Sequence, residues 1–396
     1  MPVAEPIAHS SKSRLVGLDV LRVFAVVLVM GRHMSDPPPS WPSGVRTFLA
    51  LWQLGGWVGV DLFFVLSGFL VSGLLFAEFK AHGRISPLRF YARRAWKIYP
   101  PYFVMLAVSV ALILAQGGKF ERIQLVAEVL FFQNYQLGLW NHTWSLAVEE
   151  HFYLLLPIVF VVVAYATARR TRSLRPILLV GAAVAVCSLV LRLDAANRVR
   201  EFSPHTHVFA THLRLDSLFF GVMLSYAYNV HRDRFVRVLG PWRVPLMLGG
   251  LLLLAPAFLL RLETSPLLYT VGFTVLYLAS GMLMMGALLC DGRKSRVLGA
   301  VAAAGASSYS IYLWHMPWLA FGVPWLERLA GGPLPYGVGI GLYLAGSIAV
   351  GMVMARLVEV PALRLRDRHF PSLAPARSNE RAPRTIETLA GSAAIA

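Results

Sequence analysis

Arg22 and His33 lie inside the first hydrophobic stretch of the chain, Leu15-Val-Gly-Leu-Asp-Val-Leu-Arg-Val-Phe-Ala-Val-Val-Leu-Val-Met-Gly-Arg-His33. On a helix their spacing of eleven residues makes about three turns and a rise of roughly 16 Å, so both side chains share one face at different depths. An imidazole there titrates in the physiological range and suits catalysis, or is only a snorkelling polar group at the interface, and both readings stay open on spacing alone. Ionisable groups in an apolar span are costly and usually functional.

Other chemistry-bearing residues cluster in the early spans. Asp19 precedes Arg22 by three residues, a spacing that suits an ion pair and leaves a purely structural pair open. Asp61 in Gly59-Val-Asp61 and Glu149 in Trp144-Ser-Leu-Ala-Val-Glu149 are the carboxylates that could orient His33. Glu149 also fits a proton acceptor or a structural ion-pair member. Ser67 and Gly68 read as a close helix approach, and without a GxSxG elbow Ser67 is not expected to attack. Arg93, Arg94 and Lys97, at one-turn spacing in an inner loop, suit phosphate oxygens and equally suit a topological stop. Ser308, Tyr312 and His315 form a late polar stripe that must face protein or a cavity.

The elements that position these residues are membrane spans. The chain has 396 residues, 57% of them hydrophobic and only 14% charged, with a mean hydropathy of +0.61. That is too apolar for a soluble domain of this length. Runs long enough for about 30 Å of hydrocarbon fall near residues 15–34, 57–77, 98–116, 144–166, 176–193, 210–230, 244–261, 267–290, 300–320 and 337–358. This predicts an all-α integral membrane protein, a bundle of about ten transmembrane helices. Spans five and seven to nine look plain beside the first four.

The net charge of +17 raises the question of anionic partners, and its distribution answers it. With a cytoplasmic N-terminus, twenty-five Lys and Arg fall on inner segments and seven on outer ones. The positive-inside rule therefore places both termini in the cytoplasm, and no nucleic-acid partner is expected. The first span ends in Gly-Arg-His-Met rather than a cleavage site, so it reads as retained. Cys187 and Cys290 are isolated, and neither a disulfide nor a metal site is expected. Residues 1–13 and 370–396 read as disordered cytoplasmic tails around one membrane domain, 14–369. A tail of that length is too short for a soluble catalytic module, so any chemistry is expected within or at the membrane.

Taken together, these motifs resemble the acyltransferase-3 family of integral membrane O-acyltransferases over about residues 14–365. Arg22 and His33 are similar to its arginine-x10-histidine signature, Val60–Leu70 to its second motif and Arg93–Pro100 to its basic loop. Trp144–Glu149 and Tyr309–Pro317 are similar to its tryptophan-glutamate and late tyrosine-histidine motifs. Lys97 departs from the pattern by standing where a further arginine is common, exchanging a bidentate fork for a point charge. Some members carry an extra hydrolase-like domain, which is not expected here.

The resemblance implies transfer of an acyl group, typically acetyl, from cytoplasmic acyl-CoA to a hydroxyl. The acceptor would be a sugar, a cell-surface or exported polysaccharide, or a glycosylated small molecule. It makes His33, Glu149 and Asp61 the catalytic candidates, with His33 as general base in preference to acyl carrier. Arg22, Arg93, Arg94 and Lys97 become candidates for the cofactor, and Asp19, Trp144, Tyr312 and His315 for the acceptor. The lipid bilayer of a bacterial inner membrane is the expected setting, with a second copy or an envelope-biosynthesis protein as the protein partners left open. A proton-coupled transporter or flippase, using the same intramembrane charges as a path, is the competing expectation.

Overall fold

The computed structural model describes residues 15–169, 173–290 and 296–371. The expected tails, apart from residues 370 and 371, and the inner-segment charges Arg14, Arg170, Arg172, Arg293 and Lys294 lie outside the described residues. Every regular element among the described residues is helical. The long helices are α1 (Val16–Arg32), α3 (Gly59–His82), α4 (Pro87–Ala115), α6 (Trp144–Thr167), α7 (Ile177–Arg198), α8 (Leu215–Val230), α10 (Arg243–Leu259), α11 (Phe273–Leu289) and α15 (Tyr336–Met354). Shorter ones are α2 (Ser43–Gly55), α5 (Arg122–Val129), α9 (Arg232–Leu239), α12 (Arg296–Ala306), α13 (Ser308–Pro317), α14 (Val323–Leu329) and α16 (Val360–His369).

Among the described residues, seven helical stretches are long and apolar enough to cross a membrane. There are eight if Val297–Ala306 and Ser308–Leu329, bent by 69°, form one span. Two expected spans are shorter than those stretches: α1 has 17 residues and α8 has 16. Both lie in the interior of the bundle, with Leu18, Ala25, Met30, Leu218 and Val222 buried. The outer helices show the opposite pattern, exposing Ile158 and Val162 on α6 and Leu248 and Leu252 on α10. An apolar exterior of this kind suits hydrocarbon rather than water.

α3 is the organising helix, and its sequence carries two stripes. Val60, Phe63, Ser67, Leu70 and Leu74 follow the i, i+3, i+4, i+7 rhythm and line an internal cavity. Asp61, Val65, Gly68 and Ser72 form the second stripe, buried throughout. Gly68 is what allows α8 to approach, since a Cβ at that position would lie 1.9 Å from the Leu218 carbonyl oxygen. Gly221 does the same from the other side, with Val65 O 2.3 Å from its would-be Cβ. Close crossings through small residues are how apolar helices gain packing energy without water.

The second stripe also holds a buried charge cluster. Arg214 Nη2 donates to Asp61 Oδ1 at 2.6 Å, and Arg192 Nη1 lies 2.8 Å from Asp216 Oδ2. The Arg214 guanidinium sits 3.8 Å from the centroid of the Phe273 ring, and Arg192 Nη2 donates to Thr274 Oγ1 at 2.8 Å. Two aspartates and two arginines thus tie α3 to α7, α8 and the start of α11. The expectation that the fifth span is plain is corrected by Arg192, which is fully buried there.

Candidate active site

Between α1, α3, α4, α6, α13 and α16 lies a cavity of about 440 Å³, within the size range of small-molecule sites. It runs along α3 from Val60 to Leu74, roughly 21 Å at the helical rise. Arg22, Arg94, Lys97, Glu149 and Tyr312, five of the residues singled out above, line it. Ser67, Ser145, Tyr153, Ser308, Tyr309 and Arg366 supply the rest of its polar wall.

The cations differ in how far they are already engaged. Arg22 Nη1 donates to Asp19 Oδ1 at 2.8 Å, the intrahelical pair expected from their spacing. Lys97 Nζ donates to Glu359 Oε1 at 3.0 Å, and Ser310 Oγ donates to Glu359 Oε2 at 2.7 Å. Glu359 reaches inward from a π-helical turn, Ala355–Glu359, that interrupts the end of α15. Arg94 makes no ion pair among the described residues; its guanidinium packs 5.9 Å from the ring centroids of Phe90 and Tyr153. It is the cavity cation best placed to accept an anionic ligand.

Arg93 does not line the cavity. Its Nη1 lies 3.2 Å from Asp367 Oδ1 and donates to the Phe370 carbonyl, so it is taken up by α16. The expectation that all three basic-loop cations face one ligand is corrected here. Residues at 93 and 94 point about 100° apart on a helix, and here Arg94 faces the cavity while Arg93 turns to α16.

Glu149 stands at mid-cavity. Tyr153 Oη donates to Glu149 Oε2 at 2.6 Å and lies 2.5 Å from Ser67 Oγ, which is itself 3.4 Å from the same carboxylate oxygen. Tyr153, one helical turn after Glu149, is legible from its i+4 spacing, whereas Ser67 reads from sequence as packing alone.

Beyond Tyr312, outside the residues that line the cavity, lies a cluster of three histidines, His33, His142 and His315. His33 caps the C-terminal end of α1, and its ring centroid is 5.3 Å from that of His315. His315 is 4.9 Å from His142 and 5.5 Å from Tyr312. Tyr312 Oη donates to the His142 carbonyl at 2.7 Å and lies 2.7 Å from Ser145 Oγ. Phe63 meets the Tyr312 ring edge-on at 5.9 Å, so this aromatic pair stands at the boundary between the cavity and the histidines. His142 sits just before the tryptophan-glutamate motif, and nothing in its spacing marks it. Its loop is fixed by Glu128, which accepts from Trp140 N at 3.0 Å, Thr143 Oγ1 at 3.0 Å and Tyr102 Oη at 2.6 Å.

Two expected partners of His33 are engaged elsewhere. Asp61 is hydrogen-bonded to Arg214, and Glu149 to Tyr153 and Ser67. No hydrogen bond to the His33 ring forms among the described residues, and its neighbour is His315. Trp144 also lies off the cavity, stacked on Phe209 at 4.6 Å. Among the described residues no group of three or more His, Cys, Asp and Glu is arranged to hold a metal.

The chain is 25% identical over 328 residues to the O-acetyltransferase OatA of Staphylococcus aureus strain NCTC 8325 / PS 47, covering 78% of this chain and 51% of the relative. The OatA protein of S. aureus strain COL gives the same figures. The chain therefore spans about half the length of the curated relatives it matches. No solved structure matches it. A family described as the acyltransferase domain matches residues 15–356, a span that contains the cavity wall up to Tyr312 and the whole histidine cluster, and the chain belongs to that family.

Proposed function

We propose that this protein is a membrane O-acyltransferase that moves an acyl group, acetyl in the first instance, from acyl-CoA to a hydroxyl of a glycan or glycosylated small molecule. The observation that carries the reading is the polarity of the site. Cations line the cavity through Arg22, Arg94, Lys97 and Arg366, and the three-histidine cluster lies past Tyr312. Under a ten-span topology with both termini inside, the cationic end is cytoplasmic and His33 lies near the outer face of an inner membrane.

In this reading Arg94 and Lys97 hold phosphate oxygens of the donor while the apolar wall of Val60, Phe63, Leu66 and Leu70 takes its pantetheine arm. His33 accepts the proton of the acceptor hydroxyl as its oxygen bonds to the thioester carbonyl carbon, and the carbon–sulfur bond breaks to release the coenzyme thiolate. His315, the ring next to it, orients the imidazole in the place expected of Asp61 or Glu149. Glu149, with Tyr153 and Ser67, lies along the path between the cations and the histidines.

The test is transfer by purified protein in nanodiscs, using labelled acetyl-coenzyme A and a panel of envelope glycans. Wild-type protein is expected to label a glycan hydroxyl. His33→Ala is expected to lower kcat/KM by at least about a hundredfold, the scale of general-base catalysis, with coenzyme binding retained. Near-normal turnover of that variant removes His33 from the mechanism, and movement of an unmodified glycan across vesicles would favour the transporter instead.

A further inference from the structure

The sequence places three basic-loop cations on the donor, yet only two of them, Arg94 and Lys97, line the cavity. The third cavity cation at that wall is Arg366, on the last helix of the described chain. Arg366 is only 13% exposed and holds its neighbour Asp367 through two contacts, Nε to Oδ1 and Nη2 to Oδ2, both 3.0 Å. Arg93 reaches the same aspartate at 3.2 Å and the Phe370 carbonyl. Arg89 Nε adds a hydrogen bond to the Pro371 carbonyl at 3.0 Å. Two arginines of α4 therefore grip the end of α16, and Asp367 is shared between the grip and the cavity cation.

We infer that α16 is part of the donor site: Arg366 is a phosphate-binding residue, and Arg93 is a positioning residue that holds it there. The inference rests on the acyl-CoA reading above. Its chemistry follows from Lys97, which offers one point charge already paired with Glu359. A planar fork recognises phosphate through two parallel hydrogen bonds, which an ammonium cannot do. Asp367 takes the Nε–Nη2 edge of Arg366, which leaves its Nη1–Nη2 edge beside Arg94 as the second fork that position 97 lacks, and with one aspartate facing Arg93 and Arg366 the group keeps a net positive charge for an anion.

Equilibrium binding of acetyl-coenzyme A and of S-acetylpantetheine, which lacks phosphates, to the full chain in nanodiscs tests this. Arg366→Ala is expected to weaken acetyl-coenzyme A about ten- to a hundredfold, the scale of a charge-assisted hydrogen-bond pair, and to leave S-acetylpantetheine unchanged. Arg366→Lys is expected to recover part of the loss. Arg93→Ala is expected to weaken acetyl-coenzyme A too, and the Arg93→Ala, Arg366→Ala double variant to bind no worse than Arg366→Ala alone. If Arg94→Ala weakens binding while Arg366→Ala binds as wild type, the role of α16 is overturned and the donor reading stands. If Arg366→Ala weakens both ligands equally, Arg366 is structural and the inference fails. Losses that multiply in the double variant overturn the positioning role of Arg93, and a wild-type chain that binds no acetyl-coenzyme A overturns the donor reading together with this one.

Discussion

Asp61→Asn is the substitution that most sharply separates a structural from a catalytic role. In the native cluster two aspartates balance two arginines, all four side chains being fully buried. Removing one carboxylate charge leaves a net positive charge in the interior, beside Phe273 and Phe64. Breaking one partner of a buried pair costs about 3–5 kcal/mol, whereas removing both partners is often close to neutral. Arg214→Met alone should be comparably damaging, because it strands Asp61. The double variant leaves Arg192 and Asp216 as a balanced pair and should recover about 2 kcal/mol or more relative to the sum of the singles. Unfolding of the four proteins in mixed micelles gives the cycle, with transfer activity measured on the same preparations. An Asp61→Asn protein that keeps wild-type stability while losing transfer as His33→Ala does would refute the reasoning and return Asp61 to the imidazole.

Three further outcomes follow from the geometry. Gly68→Ala should cost at least about 2 kcal/mol, since its Cβ meets backbone oxygen of Leu218 rather than a side chain that can move; an unshifted melting temperature would contradict the packing of α3 on α8. Tyr153→Phe keeps the ring and deletes the donor to Glu149, and should lower kcat/KM about tenfold, the value of one hydrogen bond to a charged group, with melting little changed. Glu128→Ala removes an acceptor from three buried donors; Tyr102 Oη and Thr143 Oγ1 keep backbone carbonyls while Trp140 N is stranded, so the change should cost about 1–3 kcal/mol, accompanied by faster proteolysis in the loop that carries Trp140 and His142.

Local spacing makes part of the site legible from the residues alone. The Asp19–Arg22 pair is a consequence of i, i+3 geometry, and the stripe of Tyr312 and His315 does face protein and cavity. Glu149 lines the cavity because it falls on the inward face of α6. What spacing cannot supply is the partner across the bundle. Asp61 looks available to His33 because both are near the ends of neighbouring spans, yet its partner is Arg214, far along the chain on α8's threshold. Arg192 sits in a stretch that reads as a plain span, and Arg366 reads as a topological charge. A positive charge that obeys the positive-inside rule carries no mark of whether it also lines a cavity. His142 enters through a loop whose path is set by the carboxylate of Glu128, a tertiary contact without a sequence period.

The two stripes of α3 give that helix a mechanical role. One face forms the wall along which substrate would travel, and the opposite face is fastened by the Gly68 and Gly221 crossing and by the Asp61–Arg214 ion pair. A helix fastened that way acts as a stator: rotating or sliding it would break the buried Asp61–Arg214 ion pair and drive carbonyl oxygens into Cα atoms. Any widening of the cavity during a catalytic cycle would then fall to its other walls, of which α16 is held to α4 through Arg93 and Arg89 at its end.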